Sequence, residues 1–184
     1  MSNDVAHLFV VTGGPGSGKS TLIDALQRLG YVRSIEAGRA VIQQQMAIGG
    51  SALPWRDRAA FAELMLSWEI RSHETLKGGQ GPVFFDRGVP DVIGYLELIG
   101  MPVPPLMLRA AELYRYNPRV FVAPPWPEIF RNDEERRQDF DEAVRTYEVM
   151  RRVYRRHDYD LVDLPCCTLD ERVRFVLGQI GATP

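Results

Sequence analysis

A three-layer α/β/α sandwich, with helices on both faces of a parallel sheet, follows from two features of this chain. Short apolar runs alternate with amphipathic helical stretches along its whole length, the pattern of buried parallel strands joined by crossover helices. The first run ends in a glycine-rich turn that opens a helix, so the chain places a loop at the carboxyl end of a strand, where parallel folds bind ligands. At 184 residues the chain is expected to form a single domain spanning 1–184.

His7-Leu8-Phe9-Val10-Val11-Thr12 reads as the first buried strand. The helix after it carries Leu22, Leu26 and Leu29 at helical spacing and stops at Gly30, the place of a C′ glycine. Tyr31–Glu36 is the second strand candidate and Val41–Ile48 a short helix closed by Gly49-Gly50. Asp57 caps a longer helix with Phe61, Leu64, Met65 and Trp68 on one face. Val83-Phe84-Phe85 is the third strand, and Asp91 is expected to cap a helix running through Ile99. A helix over Leu106–Tyr114, a strand at Val120-Phe121-Val122 and a long helix striped by Phe140, Val144, Tyr147 and Tyr154 follow. Leu161-Val162 with Leu164 makes the fifth strand, and Thr168-x-x-Glu171 is a capping box opening the last helix.

Composition narrows the function. The chain is 45% hydrophobic and 25% charged, ordinary for a folded water-soluble domain, and no apolar run approaches the roughly 20 residues that cross a bilayer. A net charge of −2 argues against electrostatic gripping of nucleic acid. The only cysteines are the adjacent Cys166 and Cys167, which cannot build a disulfide framework or a four-ligand zinc site. The amino terminus has no basic segment ahead of an apolar run, so no secretory signal is expected and the cytoplasm is the expected compartment. His7, His73 and His157 have no metal-ligand spacing.

The chemistry concentrates at the first turn. Gly13-Gly14-Pro15-Gly16-Ser17-Gly18-Lys19-Ser20, followed by Thr21, fits G-x-x-x-x-G-K-[ST] between a strand and a helix. Glycines let backbone N–H groups turn inward around an anion, and the helix start adds its positive dipole end. Lys19 supplies a cation at the β/γ-phosphates, and the Ser20 hydroxyl can hold Mg²⁺. A nucleoside triphosphate is therefore the expected ligand. No Asn-Lys-x-Asp guanine-reading motif is present, which favours ATP, although the loop alone would take GTP.

The second signal is Asp86-Arg87-Gly88 after the third strand. A carboxylate at a strand end suits Mg²⁺ or its water shell, and the Asp-Arg pair resembles the motif of nucleoside and nucleoside-monophosphate kinases. That likeness implies that Asp86 orients an acceptor hydroxyl or metal and Arg87 touches phosphate. Arg131, Arg136 and Arg137 match lid arginines that close over the transferred group in such kinases, or else form a solvated mixed-charge helix start. Residues from about 37 to 80 are the expected acceptor-binding insertion, and about 124 to 140 the lid. Glu36 and Arg39 either contact an acceptor or pair with each other. Trp55, Tyr116 and Trp126 are candidate walls for a flat ring, or core aromatics.

Taken with Ile35-Glu36-Ala37-Gly38-Arg39, Gly49–Trp55, Pro124-Pro125-Trp126-Pro127-Glu128-Ile129 and Glu134–Phe140, these motifs resemble the small P-loop AAA-type ATPases related to nicotinamide riboside kinase domains and to a GTP-binding trafficking protein of animals. The resemblance implies a nucleotide-kinase-like fold with strand order 2-3-1-4-5. It leaves the acceptor open, because the family's substrates are mostly unestablished. Neither a fused adenylyltransferase nor a ring-forming motor is expected of these 184 residues. The leading expectation is a kinase using ATP and Mg²⁺ on a nucleoside- or nucleotide-like small molecule. The alternatives are a nucleotide-dependent regulatory ATPase or GTPase with a protein partner, and an RNA-end kinase that the acidic balance disfavours.

Overall fold

The computed structural model describes residues 5–130 and 139–182. Among them five strands, β1 (Leu8–Gly13), β2 (Val32–Arg33), β3 (Val83–Asp86), β4 (Arg119–Ala123) and β5 (Asp160–Asp163), form one sheet. All pairings are parallel and the order is β2-β3-β1-β4-β5, as the resemblance implies. The helices are α1 (Lys19–Arg28), α2 (Ala37–Ile48), α3 (Arg58–Leu76), α4 (Val89–Leu98), α5 (Pro105–Leu113), α6 (Phe140–Arg156) and α7 (Leu169–Ile180).

The strands' two-residue period sorts the core into two layers. Leu8 and Val10 of β1, Val83 and Phe85 of β3, and Val120 and Val122 of β4 face the layer filled by α2 to α6. Phe9, Val11, Phe84 and Phe121 face the opposite layer, filled by α1 and α7. The register places Val10 beside both Phe85 and Val120, and Val11 beside Asp86. β3 therefore ends at Asp86 two residues short of the end of β1 at Gly13, and both strands deliver their carboxyl ends to the same edge of the sheet.

Some boundaries differ from the sequence reading. β2 keeps only two residues, because it is an edge strand paired with β3 alone and the chain leaves the sheet after Ser34. There Ser34 donates its N–H to the Phe84 carbonyl, and its hydroxyl accepts from the Asp86 N–H. α2 starts at Ala37, four residues before Val41, because the small pair Ala37-Gly38 can be buried in its first turn. α4 is capped from Gly88, so Asp91 lies inside the first turn and not at the cap. Leu29, Leu64 and Val144 are exposed, so the apolar stripes are narrower than the periodicity suggests. Asp57 and Thr168 do cap α3 and α7, accepting from the N–H groups of Ala60 and Glu171.

Candidate functional site

The glycine-rich turn joins β1 to α1 with geometry that few residues other than glycine can adopt. Gly13 has φ 129°, and a Cβ there would stand 2.3 Å from the Ala123 carbonyl oxygen of β4. Gly18, at the N-cap of α1, has φ 79°. The loop folds on itself: the Ser17 hydroxyl donates to the Gly14 carbonyl at 2.8 Å, and Lys19 Nζ donates to the same oxygen at 2.5 Å. Lys19 is buried, which pulls its ammonium pKa down to about 7, with Arg87 reinforcing the effect and Asp86, Glu36 and Asp91 opposing it.

Ser20 Oγ donates to Asp86 Oδ2 at 3.0 Å. Asp86 is buried at the end of β3, and its Oδ1 has no hydrogen-bond partner among the described residues. Burial, then Glu36, raises its carboxyl pKa, against Lys19 and Arg87. One hydroxyl and one carboxylate with an orphaned oxygen form a hard-oxygen donor pair suited to Mg²⁺, which takes only one or two protein ligands and fills its shell with phosphate and water. No cluster of three or more His, Cys, Asp or Glu among the described residues could hold a metal by itself.

Arg87 occupies left-handed backbone at φ 74°, a conformation that costs a non-glycine residue about 1–3 kcal/mol and is found where surroundings hold it in place. Here Asp91 does so. Its carboxylate lies 3.2 Å from Arg87 Nη1 and accepts from Thr12 Oγ1 at 2.5 Å, Tyr154 OH at 2.6 Å and Gly88 N at 3.0 Å. Glu36 faces Arg87 Nε at 3.6 Å. Burial disfavours the guanidinium, but Asp91, Glu36 and Asp86 together outweigh it, so Arg87 stays charged.

Beside this cluster lies a cavity of about 490 Å³, the size of a small-molecule site. Pro15 of the loop, Glu36, Arg87 and Asp91 line it, as do Trp55, Phe61 and Met65 and residues of α4 and α6. Residues 37–80, expected to form the acceptor side, thus supply α2 and α3 to its wall. Arg39 does not line it; its Nε stands 3.7 Å from Glu36 Oε2.

Two aromatic expectations are corrected. Tyr116 is 1% exposed and does not line the cavity: its ring packs edge-on against Phe85, and its hydroxyl accepts from Val89 N. Trp126 lies elsewhere, with the Arg172 guanidinium 4.8 Å from its ring centroid. Trp55 is half exposed and does line the cavity. Within the expected lid, Ile129 and Phe130 reach the loop, such that a Cβ on Gly16 would meet the Phe130 ring at 2.6 Å and one on Gly18 would meet Ile129 at 3.1 Å. Arg131, Arg136 and Arg137 lie outside the described residues.

Sequence reasoning missed two residues. Arg172 of α7 is 2% exposed and donates to the carbonyls of Ser17 at 2.9 Å and Pro165 at 2.7 Å, tying α7 to the phosphate loop. It sits in a charged run that reads as solvated. Glu69 is buried and lines the cavity. It continues the Phe61–Met65 stripe at four-residue spacing, a signal available in the sequence.

Among solved structures the chain is similar to the NadR protein in complex with NR, with a TM-score of 0.71 and 18% identity over 97% of this chain and 53% of that one. It therefore spans about half the length of that protein. It is also similar to deoxyadenosine kinase from M. mycoides with bound dATP, with a TM-score of 0.64 and 11% identity over 95% of this chain and 100% of that one. A third likeness is to thymidylate kinase from Ehrlichia chaffeensis, with a TM-score of 0.63 and 16% identity over 96% and 99%. At these identities the likeness is one of fold: a P-loop, nucleoside-kinase-like α/β domain. No curated protein matches the chain. Among the described residues, no helix is long and apolar enough to cross a membrane. The AAA domain family matches residues 8–172, and the chain belongs to that family.

Proposed function

We propose that this protein is a kinase that transfers the γ-phosphoryl group of ATP to a hydroxyl of a small nucleoside- or nucleotide-like acceptor. The observation that carries this reading is the cavity of about 490 Å³ that shares Pro15 with the phosphate loop and reaches Arg87 and Asp91. Simple hydrolysis needs only a water beside the γ-phosphate, whereas a second pocket next to the loop suits an organic acceptor.

In this reading the loop N–H groups and Lys19 bind the triphosphate. Ser20 and Asp86 are the residues that would hold Mg²⁺, whose charge offsets that of the β- and γ-phosphates. Asp86, with its unpartnered Oδ1, accepts the proton of the acceptor hydroxyl or orients that hydroxyl in line. Arg87, fixed by Asp91 and Glu36, stabilises charge on the moving group. Arg131, Arg136 and Arg137 are proposed to close over the phosphates, and Trp55 to cover the acceptor. The work is positioning and electrostatics, which is what phosphoryl transfer chiefly requires.

The test is ADP release from MgATP with pooled nucleosides, nucleotides, sugars and nicotinamide riboside, with Lys19→Ala as the control for contaminating kinases. A pool that raises release above the no-acceptor rate supports the reading, and Asp86→Asn should then lower kcat by about 10²–10⁴-fold while ATP affinity stays within a few-fold. A slow release that no pool changes would reject it in favour of a regulatory NTPase.

A further inference from the structure

Glu69 has no place in the chemistry just described, yet it sits where a structural role alone would not put it. It lies on the buried face of α3, is 2% exposed, and lines the acceptor cavity. Its Oε2 is shielded from solvent and has no hydrogen-bond partner among the described residues. Buried carboxyls that serve the fold are as a rule paired. The Tyr95 hydroxyl of α4 is in the same condition, sealed and without a partner among the described residues, and Tyr95 also lines the cavity. The Tyr95 ring packs edge-on against Phe61, with centroids 5.4 Å apart, which fixes it beside the apolar wall of Phe61 and Met65.

We infer that Glu69, together with Tyr95, is the specificity-determining group of the cavity and recognises the polar edge of a planar heteroaromatic ring on the acceptor. The inference rests on reading the cavity as the acceptor site. The class of ring follows from protonation. Burial first, then the charges of Asp91, Asp86 and Glu36, push the Glu69 carboxyl well above its usual range, with Arg87 opposing. A neutral carboxyl offers one donor and one acceptor side by side. It pairs with an edge that offers the same two functions in reverse: a carboxamide, or a ring nitrogen next to an exocyclic amino group. An ionised carboxylate would instead select an edge with two donors. The cavity should therefore prefer rings that carry such a donor–acceptor edge, adenine-, cytosine- and nicotinamide-type rings among them, to a plain phenyl ring.

The experiment compares adenosine, cytidine, nicotinamide riboside and a phenyl C-riboside on the wild type, Glu69→Gln and Glu69→Met. Each riboside is measured as a phosphoryl acceptor and, independently of turnover, by saturation-transfer NMR binding. The expected result is that at least one of the first three is preferred to the phenyl riboside by about tenfold to a hundredfold. Glu69→Met should erase that preference through KM, with kcat moving less. Glu69→Gln, which keeps a donor and an acceptor, should retain the preference within about threefold. Thermal melting of Glu69→Met should match or exceed wild type, since the substitution removes an unpaired buried polar group, which separates lost recognition from lost folding. A phenyl riboside accepted as well as the others, a preference that survives Glu69→Met, or no riboside binding at all would overturn the inference. Selective binding without any acceptor-stimulated ADP release would leave the inference standing and reject the kinase reading alone.

Discussion

Titrating MgATP into the protein at pH 8 should draw protons out of the buffer, whereas at pH 6 it should draw almost none. The reason is Lys19, whose ammonium is held at about 7, first by burial and second by Arg87. A lysine with that pKa is about nine-tenths neutral at pH 8 and about one-tenth neutral at pH 6. A triphosphate placed beside Nζ favours the charged form and raises the pKa. Binding should therefore take up about 0.9 proton at pH 8 and about 0.1 at pH 6. By the same linkage, affinity falls as pH rises above 7, approaching about tenfold per pH unit until the pKa of the complex is reached. Those figures are the Lys19 contribution; phosphate ionisation adds little at pH 8, since the second pKa of a phosphate group is about 6, and its proton release at pH 6 is common to a variant with a fixed charge at position 19. Isothermal calorimetry in two buffers of different ionisation enthalpy reads the proton count directly. Lys19→Arg, whose charge is fixed, is the control, and subtracting it removes any proton displaced from Asp86. A binding enthalpy at pH 8 that does not depend on the buffer would refute the reasoning, because it would mean that Lys19 is already charged in the free loop.

Three further outcomes follow from the packing. Asp91→Ala leaves Arg87 buried without its nearest carboxylate and strips partners from Thr12 and Tyr154, so urea unfolding should show a loss of about 3–5 kcal/mol. Gly13→Ala puts a methyl 2.3 Å from the Ala123 carbonyl at a backbone φ of 129°, so it should cost more than about 2 kcal/mol and abolish binding of a fluorescent ATP analogue. Thr168→Ala removes one half of the α7 capping box and should cost about 1 kcal/mol in the same unfolding assay.

The fold could be read from the residues because the signals that define it are local. Alternating apolar runs gave the strands, and Asp57, Thr168 and Gly30 marked helix ends by short-range chemistry. β2 was overestimated because strand length at an edge depends on its single neighbour, which propensity does not see. The phosphate loop, Asp86, Glu36 and Trp55 stood out for a related reason: each belongs to a short motif or a strand end whose meaning travels with a few neighbouring residues. Asp91 was misplaced because an aspartate ahead of an apolar run looks the same at a cap or one turn inside, and only Thr12, Arg87 and Tyr154 decide which. Arg172 gave no signal, since its partner Ser17 lies 155 residues away. Tyr116 and Trp126 failed as ring walls because an aromatic identity does not say which neighbours its ring will meet.

The two-sided core has a consequence for how this protein can diversify. The α1 and α7 side chains pack on one face of the sheet, and the α2 to α6 side chains that surround the cavity pack on the other. The strands between them act as a partition. Changes at Trp55, Phe61, Met65 or Glu69 alter volume and polarity on one side only, and distant sites without shared partners change stability and binding almost independently. The chain is thus arranged so that the cavity wall can change by ordinary point substitution while the loop between β1 and α1 keeps its form.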